Sequence, residues 1–170
     1  QKPVFTSVSE ILRISTERTR NLLRQELEIK RDELEARWRH LSLEKIFIEK
    51  KIYQQIEKCE TWESILETID KGLAPHVAKL KLKDPVTPED CARLTEIRIK
   101  RISRYDSKSA DEELRKIEES IKEVKNHLEH LTQYTIQWFQ NLKKKYGKGR
   151  ERRTTIATFQ TISAARVARA

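Results

Sequence analysis

The sequence predicts an all-α protein, built as a long antiparallel two-helix coiled-coil arm with a small helical knob at its tip. Hydrophobic residues make up 36% of the 170 residues and charged residues 37%, a balance too polar for a large globular core and typical of long charged helices. Only three glycines and four prolines are present, so the sequence contains few turn signals. Two long stretches also place apolar residues at helical spacing.

The outgoing helix of the arm is predicted over residues 7–41. Ser7-Val-Ser-Glu10 fits a capping box, in which the serine hydroxyl accepts from a first-turn N–H and the glutamate returns a bond. A stripe of mainly apolar residues then recurs at steps of three and four, close to the helical period of about 3.6 residues. Its members are Leu12, Thr16, Thr19, Leu23, Leu27, Lys30, Leu34, Trp38 and Leu41.

Residues 42–106 are predicted to form the helical knob. "SLEKIFIEKKIYQQ" spaces its apolar residues for one short helix, and "ETWESILETIDKG" predicts a second that runs from Thr61 to a stop at Gly72. "VTPEDCARL" predicts a third, with Thr87 as N-cap and Pro88 at the first helical position. The knob should therefore be small, helical and apolar inside.

The last part of the knob, "LTEIRIKRISRYD" (94–106), does not indicate one structure. Isoleucines alternate with basic residues, which has the period of two of a half-buried strand. Leu94, Ile97, Ile102 and Tyr105 fit one face of a helix about equally well. Both interpretations stay open at this point.

The returning helix of the arm is predicted over residues 107–146. Ser109-Ala-Asp-Glu112 gives a second capping box. Apolar positions then follow in strict four-three alternation, the pattern of a coiled-coil seam. They are Ala110, Leu114, Ile117, Ile121, Val124, Leu128, Leu131, Thr135, Trp138 and Leu142. A helix from Ser109 to Tyr146 would extend ~55 Å at about 1.5 Å per residue, which matches the first helix and predicts antiparallel pairing of the two.

Residues 147–170 are predicted as a basic linker and the start of a following β domain, because "TTIATFQTIS" is rich in β-branched residues. The net charge is +9, and from residue 141 onward nine Lys and Arg side chains face Glu151 alone. Seven of these side chains could neutralise phosphates, with Gly147 and Gly149 turning the chain after the helix. The candidate DNA-binding residues are Lys143, Lys144, Lys145, Lys148, Arg150, Arg152 and Arg153. The alternative interpretation is a solvated basic helix end.

Several other classes of protein are not indicated by the sequence. It has no apolar run of about 18 residues and no signal-peptide pattern, so we expect a cytoplasmic protein. Cys59 and Cys91 have no metal-ligand spacing and are expected to be part-buried thiols. The chain begins at Gln1 and contains no Met, which predicts a fragment of a longer protein.

Three motifs in this order, "LEKIFIEKKIY", "LTEIRIKRISRYD" and "KYGKGRERRTTI", resemble the A subunit of bacterial type IIA DNA topoisomerases, the group of topoisomerase IV and gyrase. The resemblance covers about Ser7 to Ile156 and specifically the coiled-coil and exit-gate region. Members of that family usually carry Glu after the Arg-Arg-Thr, where this sequence has Thr155. Any contact that the acid makes is therefore not carried over.

The resemblance implies that the knob is the exit gate (C-gate), where two A subunits form a homodimer. The dimer interface implied is Leu94, Ile97, Ile99, Ile102 and Tyr105. The parent enzyme would pass one DNA duplex through a transient double-strand break in another. Its partners would be a second A subunit, a B subunit carrying the ATPase, and double-stranded DNA. ATP and Mg²⁺ would serve the parent enzyme, and no cofactor is expected in this fragment.

Catalytic and metal sites are not expected in this chain. Arg104-Tyr105 repeats the family's catalytic Arg-Tyr pair only superficially, since that pair belongs to a winged-helix domain upstream, and Tyr105 is predicted to be a packing residue. His127 and His130 lie one turn apart, but they flank the seam and lack further ligands. The alternative function is a stand-alone antiparallel coiled-coil adaptor or nucleic-acid-binding arm.

Overall fold

A computed structural model describes residues 5–80, 82, 85–151 and 153. The regular elements of this part of the chain are all helical, so the predicted all-α class is confirmed. They are α1 (Val8–Glu49), α2 (Ile52–Gln55), a 3₁₀ turn (Ile56–Lys58), α3 (Trp62–Leu80), α4 (Pro88–Thr95), α5 (Ile99–Ser103), α6 (Ser107–Glu129) and α7 (Leu131–Tyr146). The chain divides into two units, Gln1–Thr132 and Gln133–Ala170.

Helix α1 begins as predicted but ends later. The Ser7 hydroxyl accepts from the backbone N–H of Glu10 at 3.2 Å, which confirms the N-cap. The Glu10 carboxylate, however, pairs with Arg13 at 2.6 Å. The helix continues through residue 41 to Glu49, and neither Gly nor Pro occurs between residues 41 and 50 to stop it. It ends where Lys51 adopts a left-handed conformation with φ of 55°.

The predicted returning helix is two helices. Helix α6 starts at Ser107, before the proposed box at Ser109, because the Asp106 carboxylate caps it by accepting from Lys108 N at 3.1 Å. It ends at Glu129, and His130 leaves the helical region with φ −108° and ψ 40°. The ring nitrogen Nδ1 of His130 lies 3.1 Å from the Asn126 carbonyl, beside the backbone N–H that bonds the same oxygen. A single helix over 107–146 was therefore wrong.

Helix α6 runs antiparallel to the C-terminal half of α1. Three ion pairs follow this order along the two helices: Lys45 with Asp111, Arg37 with Glu113 at 2.6 Å, and Glu35 with Lys125 at 2.8 Å. The indole N–H of Trp38 donates to Glu118 at 3.0 Å. The direction is the predicted one, while the coiled-coil geometry of a complete arm stays a prediction.

The knob has one apolar core, to which α1, α2, α3 and α4 contribute. Its buried members are Leu43, Phe47, Ile48, Ile52, Ile69, Leu73, Cys91 and Leu94. Thr87 caps α4 and Pro88 is its first residue, as predicted, and the Asp90 carboxylate completes the box by accepting from Thr87 N at 3.1 Å. Both cysteines are free, Cys91 being buried and Cys59 half-buried.

The prediction that Gly72 stops α3 was wrong, since the helix continues through Gly72 and Pro75 to Leu80. A Cβ at position 72 would lie 3.0 Å from Cγ2 of Ile52, whose side chain is buried. The glycine therefore permits close packing of α3 on α2. None of the described helices is both long and apolar enough to cross a lipid bilayer.

Candidate functional site: the α5 surface and the basic tail

The segment 94–106 is neither a strand nor one helix. Helix α4 ends at Thr95, residues 96–98 connect, and Arg98 adopts an extended conformation (φ −68°, ψ 139°) as N-cap of the short helix α5. This break changes the phase of the side chains, so the isoleucines do not share one face. The sequence shows both a strand-like alternation and a helical spacing here because two short helices are joined by a connection that contains an extended residue, Arg98.

The structure separates the five predicted interface residues by burial. Leu94 lies in the knob core with 1% of its surface exposed. Ile97, Ile102 and Tyr105 are half-buried and pack against that core. Ile99, in contrast, is 83% exposed. Ile99 therefore lies on the surface of the knob, whereas Leu94 holds the segment from within.

An ion pair fixes α5 to α1. The Arg101 guanidinium donates through Nη2 to Oε2 of Glu44 at 2.9 Å and also through Nε to Oε1. The Glu44 side chain is 3% exposed, so its charge needs this partner. The hydrogen bond to Glu44 raises the pKa of Arg101 above its usual value, which keeps the guanidinium charged.

Exposed basic side chains lie near Ile99 in the sequence, on α5 and at its ends. Arg98, Lys100 and Arg104 are exposed on α5 and its ends. On one side, an open groove of about 730 Å³ lies between α1 and the α4–α5 connection. Its polar lining residues are Arg37, His40, Glu44, Arg93, Glu96, Arg98 and Arg101, so it contains carboxylates as well as guanidinium groups. Helix α5 and its ends therefore carry one largely exposed apolar side chain, Ile99, and several exposed basic side chains.

Tyr105 follows α5 and is a packing residue, as predicted. Burial, with the nearby carboxylates of Glu49, Asp111 and Glu44, raises its pKa to about 12. Its hydroxyl has no hydrogen-bond partner among the described residues. The raised pKa disfavours the phenolate, which is the form that attacks as a nucleophile.

A hollow between α3 and the start of α4 was not anticipated from the sequence. It has a volume of about 330 Å³, with Leu66, Val86, Pro88 and Cys91 among its lining residues. Glu63, Glu67 and Asp70 also line it, since steps of four and three place them on one face of α3. That spacing is the signal by which the acidic face could have been found.

The basic tail belongs to the unit Gln133–Ala170. Lys143, Lys144 and Lys145 occupy the last turn of α7 and are exposed, like Lys148, Arg150 and Arg153. A Cβ at Gly147 would lie 2.4 Å from the Lys143 carbonyl, and Gly149 has a φ of +79°, so both glycines are required by the turn. Arg152 and the predicted strand "TTIATFQTIS" lie outside the described residues.

The two histidines of α6 and its end do not belong to a metal-ligand cluster. Within the described ranges, no group of three or more His, Cys, Asp or Glu side chains is arranged to hold a metal ion. His127 is half-buried and His130 is exposed, where its ring meets the Asn126 carbonyl.

The chain is similar in sequence to proteins of known type. A sequence model of the family described as the A subunit of DNA gyrase/topoisomerase IV matches residues 1–143. The A subunit of DNA topoisomerase 4 from Borreliella burgdorferi (strain ATCC 35210 / DSM 4680 / CIP 102532 / B31) is 26% identical over 166 residues. That alignment covers 98% of this chain and 26% of the relative, so the chain spans about a quarter of its length. No solved structure gives a significant match.

Proposed function

Since this chain belongs to the family of DNA gyrase/topoisomerase IV A subunits, we propose that it is the exit-gate and dimerisation module of an ATP-dependent type IIA DNA topoisomerase. That enzyme would pass one DNA duplex through a transient double-strand break in another. The module's task is to hold two subunits together and to separate when the transported duplex leaves.

The family match over residues 1–143 carries this proposal, and exposed Ile99 on α5 supplies an apolar group for the contact. Leu94 anchors the segment in the core, and Arg101 ties it to buried Glu44. A large apolar side chain that is 83% exposed, on a segment tied to the core by these two contacts, is suited to association. A gate needs a surface of this kind, preformed and small enough to open.

The proposal assigns the remaining partners and cofactors to the parent enzyme. The partner at the knob is a second copy of the A subunit, while a B subunit would supply the ATPase. Double-stranded DNA is the substrate, in the cytoplasm. ATP and Mg²⁺ would act on other parts of the assembly, and no catalytic step is assigned to residues of this chain.

A secondary role in DNA contact is proposed for the basic tail. Three consecutive exposed lysines end α7, and the required glycines direct Lys148, Arg150 and Arg153 onward from that point. Such a cluster can neutralise several phosphates without reading sequence. Binding should therefore be weak, nonspecific and sensitive to salt.

Sedimentation equilibrium of the 170-residue chain tests the gate assignment. We expect a species of twice 20.2 kDa at micromolar concentration. Ile99→Glu should give a folded monomer, because a charge would replace the exposed apolar contact. A wild-type monomer at these concentrations would refute the proposal for this chain.

A further inference from the structure

Two surfaces of the knob carry opposite charge around apolar centres. The first is the α5 surface, which carries exposed Ile99 together with exposed Arg98, Lys100 and Arg104. The second is the α3–α4 hollow, lined by apolar side chains and by three carboxylates of α3. Both belong to the unit Gln1–Thr132.

We propose that these two surfaces bind each other between two copies of the chain. Ile99 of one protomer would enter the α3–α4 hollow of its partner, and the basic side chains of α5 would pair with Glu63, Glu67 and Asp70. The inference rests on the proposed dimerisation and adds which surfaces meet. The occupant of the hollow is thus a second copy of this chain.

The apolar part of the contact comes first. Ile99 is 83% exposed, while the hollow has about 330 Å³ of space lined by Leu66, Val86 and Pro88. Interfaces typically bury a few large side chains in pockets of the partner, with polar groups around them. Ile99 is such a large exposed side chain, and the hollow is such a pocket.

The charges agree in sign and number. Three exposed cations lie on α5 and at its ends, and three exposed carboxylates of α3 line the hollow. Lys71 pairs with Glu67 at 3.1 Å in the isolated chain, but this is an exposed pair of one helix and contributes little. Complementary potentials favour the correct register and suppress other pairings.

Two-fold symmetry allows the contact to occur twice. In such a dimer, if the α5 surface of one protomer meets the hollow of its partner, then the partner's α5 surface also meets the hollow of the first protomer. Each protomer would therefore use its α5 surface and its hollow once. The dimer would have two small equivalent contacts, which suits an interface that opens.

Charge reversal tests the pairing. One variant carries Lys100→Glu with Arg104→Glu, and another carries Glu63→Lys with Asp70→Lys; all four positions are exposed. Each variant alone should raise the dimer Kd at least about tenfold, because like charges would meet across the interface. An equimolar mixture of the two should form a heterodimer, in which one of the two contacts joins the reversed surfaces and again pairs opposite charges, while the other joins the two unaltered surfaces.

Matched controls reverse the same number of charges on α6. Lys116→Glu with Lys122→Glu, and Glu112→Lys with Glu123→Lys, should leave the Kd unchanged, and circular dichroism should show all variants helical. If both knob variants form dimers with the wild-type Kd, the proposed pairing is wrong, although the chain still dimerises. Two monomeric variants that fail to associate when mixed would also overturn it. A monomeric wild type would instead refute the proposed function itself.

Discussion

Arg101 on α5 and Glu44 on α1 form an ion pair in which Nη2 and Oε2 lie 2.9 Å apart and the carboxylate is almost completely buried. The two residues are 57 positions apart in the chain. The pair connects the exposed segment around Ile99 to the longest helix. It explains how a helix of only five residues, Ile99–Ser103, keeps a defined position.

Arg101→Ala should lower the free energy of unfolding by about 1–3 kcal/mol, because it leaves the buried Glu44 carboxylate without its partner. Denaturant unfolding followed by circular dichroism measures the change. Lys100→Ala, an exposed neighbour, should stay within about 0.5 kcal/mol of wild type. Equal losses in the two variants would contradict the importance of the pair.

The pH dependence of stability should contain a contribution from Asp90. Burial acts to raise the pKa of this carboxyl, but hydrogen bonds from Arg39 and Thr87 outweigh burial, and the net pKa is lowered. The native state therefore binds the proton less readily than the unfolded chain. The stabilisation is fully present above the unfolded pKa of about 3.9 and is lost as pH falls through the folded value.

Thermal unfolding of wild type and Asp90→Asn between pH 7 and pH 2 measures this contribution. We expect wild type to be the more stable near neutral pH and the difference to shrink below about pH 4. Glu89→Gln, at an exposed position of the same turn, is the control. A difference that stays constant down to pH 2 would show that Asp90 does not act through its charge.

Gly72→Ala should destabilise the knob although alanine is the better helix former. The added Cβ would lie 3.0 Å from Cγ2 of Ile52, which is 1% exposed and has little room to move. Overpacking of this kind costs about 1–3 kcal/mol, against a helix-propensity gain of about 1 kcal/mol.

A double-mutant cycle with Ile52→Ala separates these two effects. In the Ile52→Ala background, the Ile52 side-chain carbons that the added Cβ would approach are absent. There Gly72→Ala should leave the free energy of unfolding unchanged or increase it. If it destabilises equally in both backgrounds, the cause is not the contact with Ile52.

Tyr105→Phe should leave the free energy of unfolding unchanged or increase it by up to about 1 kcal/mol, because the buried hydroxyl has no hydrogen-bond partner among the described residues. Chemical denaturation of the Tyr105→Phe variant and of wild type measures this difference.

Incubation of the wild-type chain with supercoiled plasmid should yield no covalent adduct at Tyr105. A trapped adduct would show that the raised pKa does not prevent the phenol from reacting.

Neutralising Lys143, Lys144 and Lys145 together should weaken binding to duplex DNA and reduce the slope of log Kobs against log salt by up to about 3. Fluorescence anisotropy of a labelled duplex at several salt concentrations gives both quantities. A triple neutralisation at exposed Lys30, Lys116 and Lys122 removes the same charge from other helices. An equal effect of both variants would show that net charge alone matters.

The starts of α1 and α4 could be predicted from local chemistry. Ser7 and Thr87 cap their helices as predicted, because an N-cap bond joins residues three apart and depends little on the rest of the chain. The second box was misplaced because Asp106 provides an equivalent cap nearer the preceding turn. Two adjacent candidates of similar strength are not resolved by sequence pattern alone.

The helix ends were harder, since they depend on packing. Gly72 is a usual stop signal, yet it lies inside α3 because Ile52 approaches that point from another helix. The break at His130 lies within an unbroken heptad pattern, so hydrophobic spacing did not indicate it.

The sequence by itself determined the helical class, the antiparallel order of its long helices, the concentration of positive charge after residue 141 and the family. These follow from periodicity, capping and motif order, which are properties of neighbouring residues. Only the tertiary structure decided that Ile99 is exposed while Leu94 is buried, that Glu44 receives Arg101, and that three carboxylates of α3 line an apolar hollow. Burial and pairing of this kind depend on which distant segments meet, and local spacing contains no information about that.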